Sequence, residues 1–363
     1  MQQIESYSMV DLLEFASGQL RNKMPFVLYN KPNSKELIGI FQKNDFLYTV
    51  KDFDEKGFVF APFNESQIVL FPEQESDIKC VPFDVTFESD VLHSSIETDR
   101  NEIKIAYESL IEKAIQEIRS GYFSKVVLSR KKIVKLSQFN IVNILQRLFN
   151  FNQTAFSYCF YHPKVGLWMG AFSEQLLKKE GMNFFTSSVA GTQLFEGKLK
   201  VEWGNKEQQE QEYVTDFILE KVKETATDIT VSKPYTIKAG TLLHLKTDIQ
   251  GKLSLKSSLK DLLELIHPTP AVCGLPLDKA KAFIRENEGY NREYYSGYLG
   301  ELNTNFISQQ KNTDLYVNLR CMKIDLQALE AHIYIGGGIT KDSIPEKEWN
   351  ETINKSKTIE KVL

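Results

Sequence analysis

Near its C-terminus the chain reads Tyr334-Ile-Gly-Gly-Gly-Ile339, then Ser343-Ile-Pro-Glu-Lys-Glu348-Trp-Asn-Glu351-Thr-Ile-Asn-Lys355. A strand-like run, Ile333 to Ile335, ends in three glycines, and a helical pattern follows almost at once. Ser343 and Glu346 have capping-box spacing, with Pro345 in the first turn, where proline is tolerated. On that helix Glu348, Glu351 and Lys355 fall at i, i+3 and i+7, so they share a face. Bare glycines leave backbone N–H groups open to an anion, and a helix N-terminus favours negative charge. Two carboxylates beside an ammonium can hold a divalent ion and its anionic ligand. The pattern points to a small multi-anionic substrate bound with Mg²⁺. Its plain alternative is a glycine turn before a solvated charged helix. Gly336 to Lys341 does not fit GxxxxGK[ST], and no GxGxxG follows a strand, so neither a P-loop nor a dinucleotide site is supported.

Five further residues could carry chemistry. Lys125 opens an apolar strand, where lost solvation would lower its pKa toward that of a general base. An ordinary strand-end lysine is the alternative. Glu174, in Gly170-Ala-Phe-Ser-Glu-Gln-Leu-Leu177, lies between apolar segments. A carboxyl so placed has a raised pKa and can act as an acid; a turn glutamate is the alternative. Glu210 precedes Tyr213, Val214 and Phe217 on the apolar side of its helix, while Glu207, Gln208, Gln209 and Gln211 read as solvated. Carboxylates are rarely buried unless paired or bound to metal. Arg320 ends a strand and could grip a carboxylate with both arms, or form a structural ion pair. His267-Pro-Thr-Pro-Ala-Val272 is a proline-set loop in which His267 could orient water or a substrate hydroxyl, or merely pack.

These residues need a scaffold. Residues 1–95 read as loop-rich with short β-like runs, such as Phe26–Tyr29, Phe46–Val50 and Gln67–Phe71. Beyond them Tyr107, Leu110, Ile111, Ala114, Ile115 and Ile118 form a helical stripe that Gly121 ends. Strands are expected at Lys125–Ser129, Ala155–Phe160 and Gly166–Met169, and helices at Ile141–Phe149, from Lys206 and around Phe283–Asn287. Tyr295–Glu301 and Leu315–Met322 read as paired strands. Helices and strands do not alternate regularly, which argues for an α+β fold.

The sequence has 363 residues, 42% of them apolar, enough for a large core. With 44 basic and 48 acidic residues and no long block of one sign, nucleic acid and anionic membranes are not expected as partners. No apolar run reaches the length of a membrane span. The four cysteines form no CxxC and fit reduced thiols. Met1-Gln-Gln-Ile-Glu-Ser6 lacks the features of a signal peptide, so a cytoplasmic location is expected.

Taken in order, the segments resemble the chorismate-binding enzymes, and most closely their isochorismate synthases. Lys125-Val-Val-Leu-Ser-Arg130 resembles the family's base-bearing strand, and Ser173-Glu-Gln-Leu176 its acid-bearing turn. Ser188-Val-Ala-Gly-Thr192 resembles the Ala-Gly-Thr substrate loop, and Lys206 to Glu210 the Lys-Asp-x-x-Glu metal helix. His267-Pro-Thr-Pro-Ala-Val272, Arg320, Gly336–Ile339 and Glu348-Trp-Asn-Glu351-Thr complete the set. The likeness runs from about residue 100 to residue 363. Glu207, Gln208 and Gln211 replace the usual aspartate, arginine and histidine of the metal helix, and Gln193 stands where arginine is common. These changes put rate in doubt rather than reaction class.

The resemblance implies two large antiparallel sheets packed face to face with helices outside. Residues 1–95 would be a strand-rich part of the same body and 96–363 the catalytic domain. It implies Lys125 as base and Glu174 as acid, with Mg²⁺ held by Glu210, Glu348 and Glu351. Substrate contacts would come from Gly191, Thr192, His267, Ala271, Val272, Arg320, Tyr334, Gly336, Gly337 and Lys355. Chorismate would gain water at C2 and lose its C4 hydroxyl, giving isochorismate, with menaquinone or siderophore synthesis downstream and a monomeric enzyme. Ala190 stands where some relatives carry a nucleophilic lysine. Salicylate synthase is the alternative activity; a non-catalytic chorismate-binding protein is the alternative of another class.

Overall fold

The computed structural model describes residues 7–64, 67–83, 101–239 and 242–363. The boundary expected near residue 95 lies outside them. The chain begins with α1 (Met9–Arg21), β1 (Phe26–Asn30), β2 (Glu36–Gln42), β3 (Tyr48–Thr49), β4 (Gly57–Ala61), β5 (Val69–Pro72) and β6 (Ser76–Pro82). It continues through α2 (Asn101–Arg119), β7 (Lys125–Lys135), α3 (Ile141–Phe151), β8 (Phe156–His162), β9 (Gly166–Phe172), β10 (Gln175–Glu180) and β11 (Asn183–Leu194). Then come α4 (Asn205–Thr225), β12 (Ala226–Val231), β13 (Tyr235–Ala239), β14 (Leu242–Leu253), α5 (Leu259–Ile266), β15 (Gly274–Leu275) and α6 (Leu277–Asn287). It ends with β16 (Tyr298–Leu302), β17 (Asn312–Val317), β18 (Cys321–Asp325), β19 (Glu330–Ile339) and α7 (Pro345–Glu360).

Among the described residues the strands form two antiparallel sheets. The first has nine, in the order β15-β7-β19-β18-β9-β8-β1-β2-β6. The second has ten, in the order β12-β14-β11-β10-β17-β16-β4-β5-β3, with β13 also on β14. Strands of residues 26–82 therefore extend both sheets. The sheets pack through an aromatic layer: Val27, Tyr29, Tyr158, Phe160 and Trp168 from the first meet Phe58, Phe60 and Phe71 from the second. Phe60 stacks on Tyr294 with centroids 4.2 Å apart. Burying each such ring stabilises the sandwich by about 2–3 kcal/mol. Helices cover the outer faces: α1 and α3 lie over the first sheet, α4 and α5 over the second.

Sequence periodicity explains these placements. In α2 the stripe Tyr107, Ile111, Ala114 and Ile115 is buried, and Gly121 at φ +82° ends the run as glycine can. Along β14, Leu243, Leu245, Thr247 and Ile249 face inward while Lys246 and Asp248 pair outside. Two expectations need correction. The N-terminal part is not merely loops and strands: α1 buries Met9, Leu12, Leu13 and Ala16 behind a Ser8–Asp11 capping box. Leu315–Met322 is not one strand: β17 ends at Val317, and the chain crosses to the first sheet, where β18 pairs with β9 and β19. Arg320 lies in that crossover at φ +44°.

Candidate active site

A pocket of about 190 Å³ opens where the strand ladders are irregular. The register of β11 on β14 shifts between Ala190 and Gln193, and that of β10 on β17 shifts between Gln175 and Leu177. Such bulges re-aim side chains. At the first, Gly191 has φ +70°, and a Cβ there would lie 2.9 Å from Glu207 Cβ. Only glycine lets this strand approach the first turn of α4 so closely. The crossover at Arg320 supplies a third break.

The glycine run is not a turn. Gly336, Gly337 and Gly338 belong to β19 and pair with Ser129, Leu128 and Val127 of β7. What they offer is bare surface. A Cβ on Gly338 would lie 3.2 Å from Lys125 Cε and 3.5 Å from Glu210 Oε1. One on Gly337 would lie 3.5 Å from Glu348 Oε2 and 4.0 Å from Glu351 Oε1. Bare Gly338 thus faces Lys125 and Glu210, and bare Gly337 faces Glu348 and Glu351 of α7; a larger residue at either position would crowd these side chains. The capping box is also absent: Ile344 is the N-cap of α7. Ser343 instead donates to Glu348 Oε1 at 2.7 Å and accepts from the Thr340 N–H. Glu348 is buried so deeply, 3% exposed, that the serine serves the carboxylate and not the helix end.

Lys125 is 2% exposed, lines the pocket and sits on β7 opposite Leu275. Glu174 is half-buried and lines the pocket, and its backbone oxygen accepts from the Val317 N–H at 2.9 Å. Burial pushes its carboxyl up to about 7, against the opposing pull of Arg320, Lys125 and Lys355. Lys355 donates to the Gly336 carbonyl at 2.9 Å and pairs with Glu351 at 2.6 Å. Burial lowers the Arg320 guanidinium's pKa, opposed by Tyr295, Glu351 and Glu174. Tyr334 stacks between Trp168 and Tyr295 at 5.2 and 5.6 Å.

Most of the expected residues come together: Lys125, Glu174, Gly191, Thr192, Glu210, Ala271, Val272, Arg320, Tyr334, Gly336, Gly337, Glu351 and Lys355 all line the pocket. Glu348 lies just behind that wall. His267 does not line it; its Nε2 is 3.1 Å from the Ser296 carbonyl and its ring packs on Tyr298. It braces the loop, whose far end, Ala271 and Val272, reaches the pocket. Gln211 is not solvated: its amide nitrogen lies 3.0, 2.8 and 2.6 Å from the hydroxyls of Ser188, Thr215 and Thr247. The sequence reading also missed His244. Its Nδ1 is 2.9 Å from the Gly191 carbonyl, so that nitrogen carries the proton. Burial, then Arg320, push its pKa down to about 4. Its sequence signal was only a polar residue on the outward face of a strand.

The carboxylate set suits Mg²⁺, which takes hard oxygen ligands and keeps water or substrate oxygens in its shell. Among the described residues no three carboxylate, thiol or imidazole groups form a ready metal cage. A substrate carboxylate would have to complete one.

The raised Glu174 pKa has a consequence for stability. The unfolded chain releases this proton near 4.5, the folded one near 7. Stability therefore falls as pH rises between these values, and the full penalty applies above 7. Glu174→Gln cannot ionise. It should match the parent in urea unfolding near pH 4.5 and exceed it by about 1–3 kcal/mol at pH 8, allowing for solvent in the pocket. Equal stabilities at pH 8 would contradict the shift.

Among the described residues no helix is long and apolar enough to cross a membrane. The isochorismate synthase EntC of Escherichia coli K12 is 31% identical over 267 residues, 70% of this chain and 66% of that protein. The isochorismate synthase MenF of Bacillus subtilis is 31% identical over 258 residues, 68% of this chain and 53% of that one. The alignments thus take in about half to two thirds of these relatives' lengths. The structure of MenF, the menaquinone-specific isochorismate synthase from Escherichia coli, superposes with a TM-score of 0.77 at 20% identity, covering 93% of this chain and 88% of that one. Anthranilate synthase component I from Streptococcus pneumoniae gives 0.65 at 18%, covering 92% of each. Both share the fold. The family description "Chorismate binding enzyme" matches residues 84–363, and on that match, which takes in every pocket residue named above, the chain belongs to the chorismate-binding enzymes.

Proposed function

We propose that this chain is an isochorismate synthase, using Mg²⁺ to convert chorismate to isochorismate. The observation that carries the reading is a lysine and a carboxyl with a pKa near 7 in one pocket, between a carboxylate wall and two cationic side chains. Glu210 and Glu351, with Glu348 behind them, would hold the metal. When bound, Mg²⁺ would neutralise and orient one substrate carboxylate. Arg320, Lys355, Thr192 and the Gly336 backbone would receive the other.

In this reading Lys125, as the neutral amine, takes a proton from water as the water oxygen bonds to ring C2. Glu174 donates its proton to the departing C4 hydroxyl, which leaves as water. Both ring double bonds shift, along the carbons that join C2 to C4 through C1, C6 and C5, and no cosubstrate is consumed. Acid and base each contribute about 10²–10⁴-fold in such reactions. We also read the protein as a cytoplasmic monomer, which light scattering and fractionation test.

The deciding experiment incubates the protein with chorismate and Mg²⁺, separates products, and couples the mixture to lactate dehydrogenase. Isochorismate without pyruvate is expected, and purified isochorismate should return chorismate to a fixed ratio. Pyruvate appearing in step with chorismate loss, with salicylate fluorescence, would move the assignment to salicylate synthase. No turnover would favour a binding protein.

A further inference from the structure

Behind the pocket lies a buried polar chain that the reaction described above does not use. It starts at Gln175, which follows Glu174 but stands outside the pocket. The Gln175 side-chain amide donates to Asp314 Oδ1 at 2.6 Å. Asp314, on β17, is 7% exposed, and its other oxygen lies 3.2 Å from Lys31 Nζ. Lys31 follows β1 and also pairs with Glu301 of β16, which is 1% exposed. Tyr29 donates to the same glutamate at 2.5 Å. Four side chains so run from the first sheet through the second to the residue beside the pocket carboxyl.

The place where this chain ends matters. Gln175 pairs with Tyr316, but Leu177 pairs with Leu315, so one extra residue is accommodated at the start of β10. Leu176 and Leu177 are consequently both buried, 2% and 0% exposed. A one-residue slip in a strand turns every side chain to the opposite face. Something must hold the irregular register, and backbone pairing is weakest at a bulge. The Val317 N–H bond to the Glu174 carbonyl fixes the main chain on one side. The Gln175 amide fixes it on the other.

We propose that Gln175 and Asp314, anchored by Lys31 and Glu301, are positioning residues that hold the bulge and so aim Glu174 into the pocket. The inference rests on the reading of Glu174 as the acid. The groups facing that carboxyl from other elements are Lys125 on β7, Arg320 in the crossover and Lys355 on α7. If the bulge relaxes, the carboxyl moves relative to all three and toward solvent. Its proton is then lost at lower pH and delivered less well.

The test is turnover of chorismate with Mg²⁺ between about pH 6 and 9 by the parent and four variants. Gln175→Met keeps volume and removes the amide; Gln175→Asn keeps the amide and shortens its reach. Both should lose roughly tenfold in kcat, as misplaced groups do, with KM within about twofold. The alkaline limb of kcat should shift to lower pH. Asp314→Asn keeps an acceptor for Gln175 but gives up the charge that faces Lys31, so it should lose kcat in the same direction by a smaller factor; no loss would remove Asp314 and its anchors from the inference. Unchanged kcat and limb in both glutamine variants would overturn the inference. So would a loss with the limb unmoved and KM rising in step, or failure of both variants to fold. Glu174→Gln separates this from the reading beneath it. An active Glu174→Gln removes the acid and this inference together; an inactive one beside a normal Gln175→Met removes this inference alone.

Discussion

Lys125→Gln is expected to lower turnover of chorismate by roughly 10²-fold or more while Mg²⁺-dependent binding of chorismate persists. The side chain emerges from the start of β7 onto the bare face of Gly338, 2% exposed. Glutamine has nearly the same reach and fills the same channel, so packing of β7 against β15 and β19 should survive. What it cannot do is accept a proton from water. Rapid-quench turnover and calorimetric binding, measured on one preparation, separate the two effects. Near-normal turnover would remove Lys125 from the chemistry. Loss of binding in proportion to turnover would make it a substrate contact instead.

The second large effect belongs to the carboxylate wall. Glu210→Ala and Glu351→Gln should each weaken Mg²⁺-dependent chorismate binding by roughly 10²-fold, the scale on which changes around metal sites act. EDTA should abolish turnover in the parent, and Mg²⁺ should restore it. The conservative change is chosen at Glu351 because its carboxylate also pairs with Lys355, which itself holds the Gly336 carbonyl. An amide keeps a partner there while giving up the charge. Full turnover in excess chelator, or variants that respond to Mg²⁺ like the parent, would refute the metal assignment.

The sequence carried local information well. The α2 stripe, the apolar strands β7, β8 and β9 and the α4 stripe could be read because burial imposes a period on neighbouring residues. The pocket could be read only through the resemblance of its ordered segments to a family; taken singly, Lys125, Glu174 and Arg320 each had an ordinary structural alternative. Residues whose roles depend on distant partners were harder. Gln211 looks solvated among Gln208, Gln209 and Glu212; only the hydroxyls of Ser188 and Thr247 on other strands make its burial tolerable. Ser343 has the spacing of a cap, yet the buried Glu348 claims its hydroxyl. His244 becomes part of the site only because β14 lies beside Gly191 of β11. The break at 318–320 is hidden because the apolar runs on either side, Leu315–Val317 and Cys321–Met322, stand so close that Asn318-Leu319-Arg320 reads as the middle of one strand. The α1 signal was present, in the Ser8–Asp11 box and the stripe behind it, but a reading of residues 1–95 as loop-rich with short β-like runs passes over it.

The strands before residue 84 have a bearing on how this protein could be trimmed, and how it could drift. They join the rest by main-chain pairing, β1 on β8 and β4 on β16. Such pairing asks for length and alternation and only loosely for identity. A segment attached this way can exchange most of its letters and still keep its outline. That accounts for a superposition covering 93% of the chain although the family match begins only at residue 84. Cutting the gene back to the matched portion would strip the partners from Phe156–His162 and Tyr298–Leu302, two apolar strands buried along their whole length. Raw edges of that kind recruit other chains. The shortest well-behaved version of this protein is therefore longer than the signature by which its family is known.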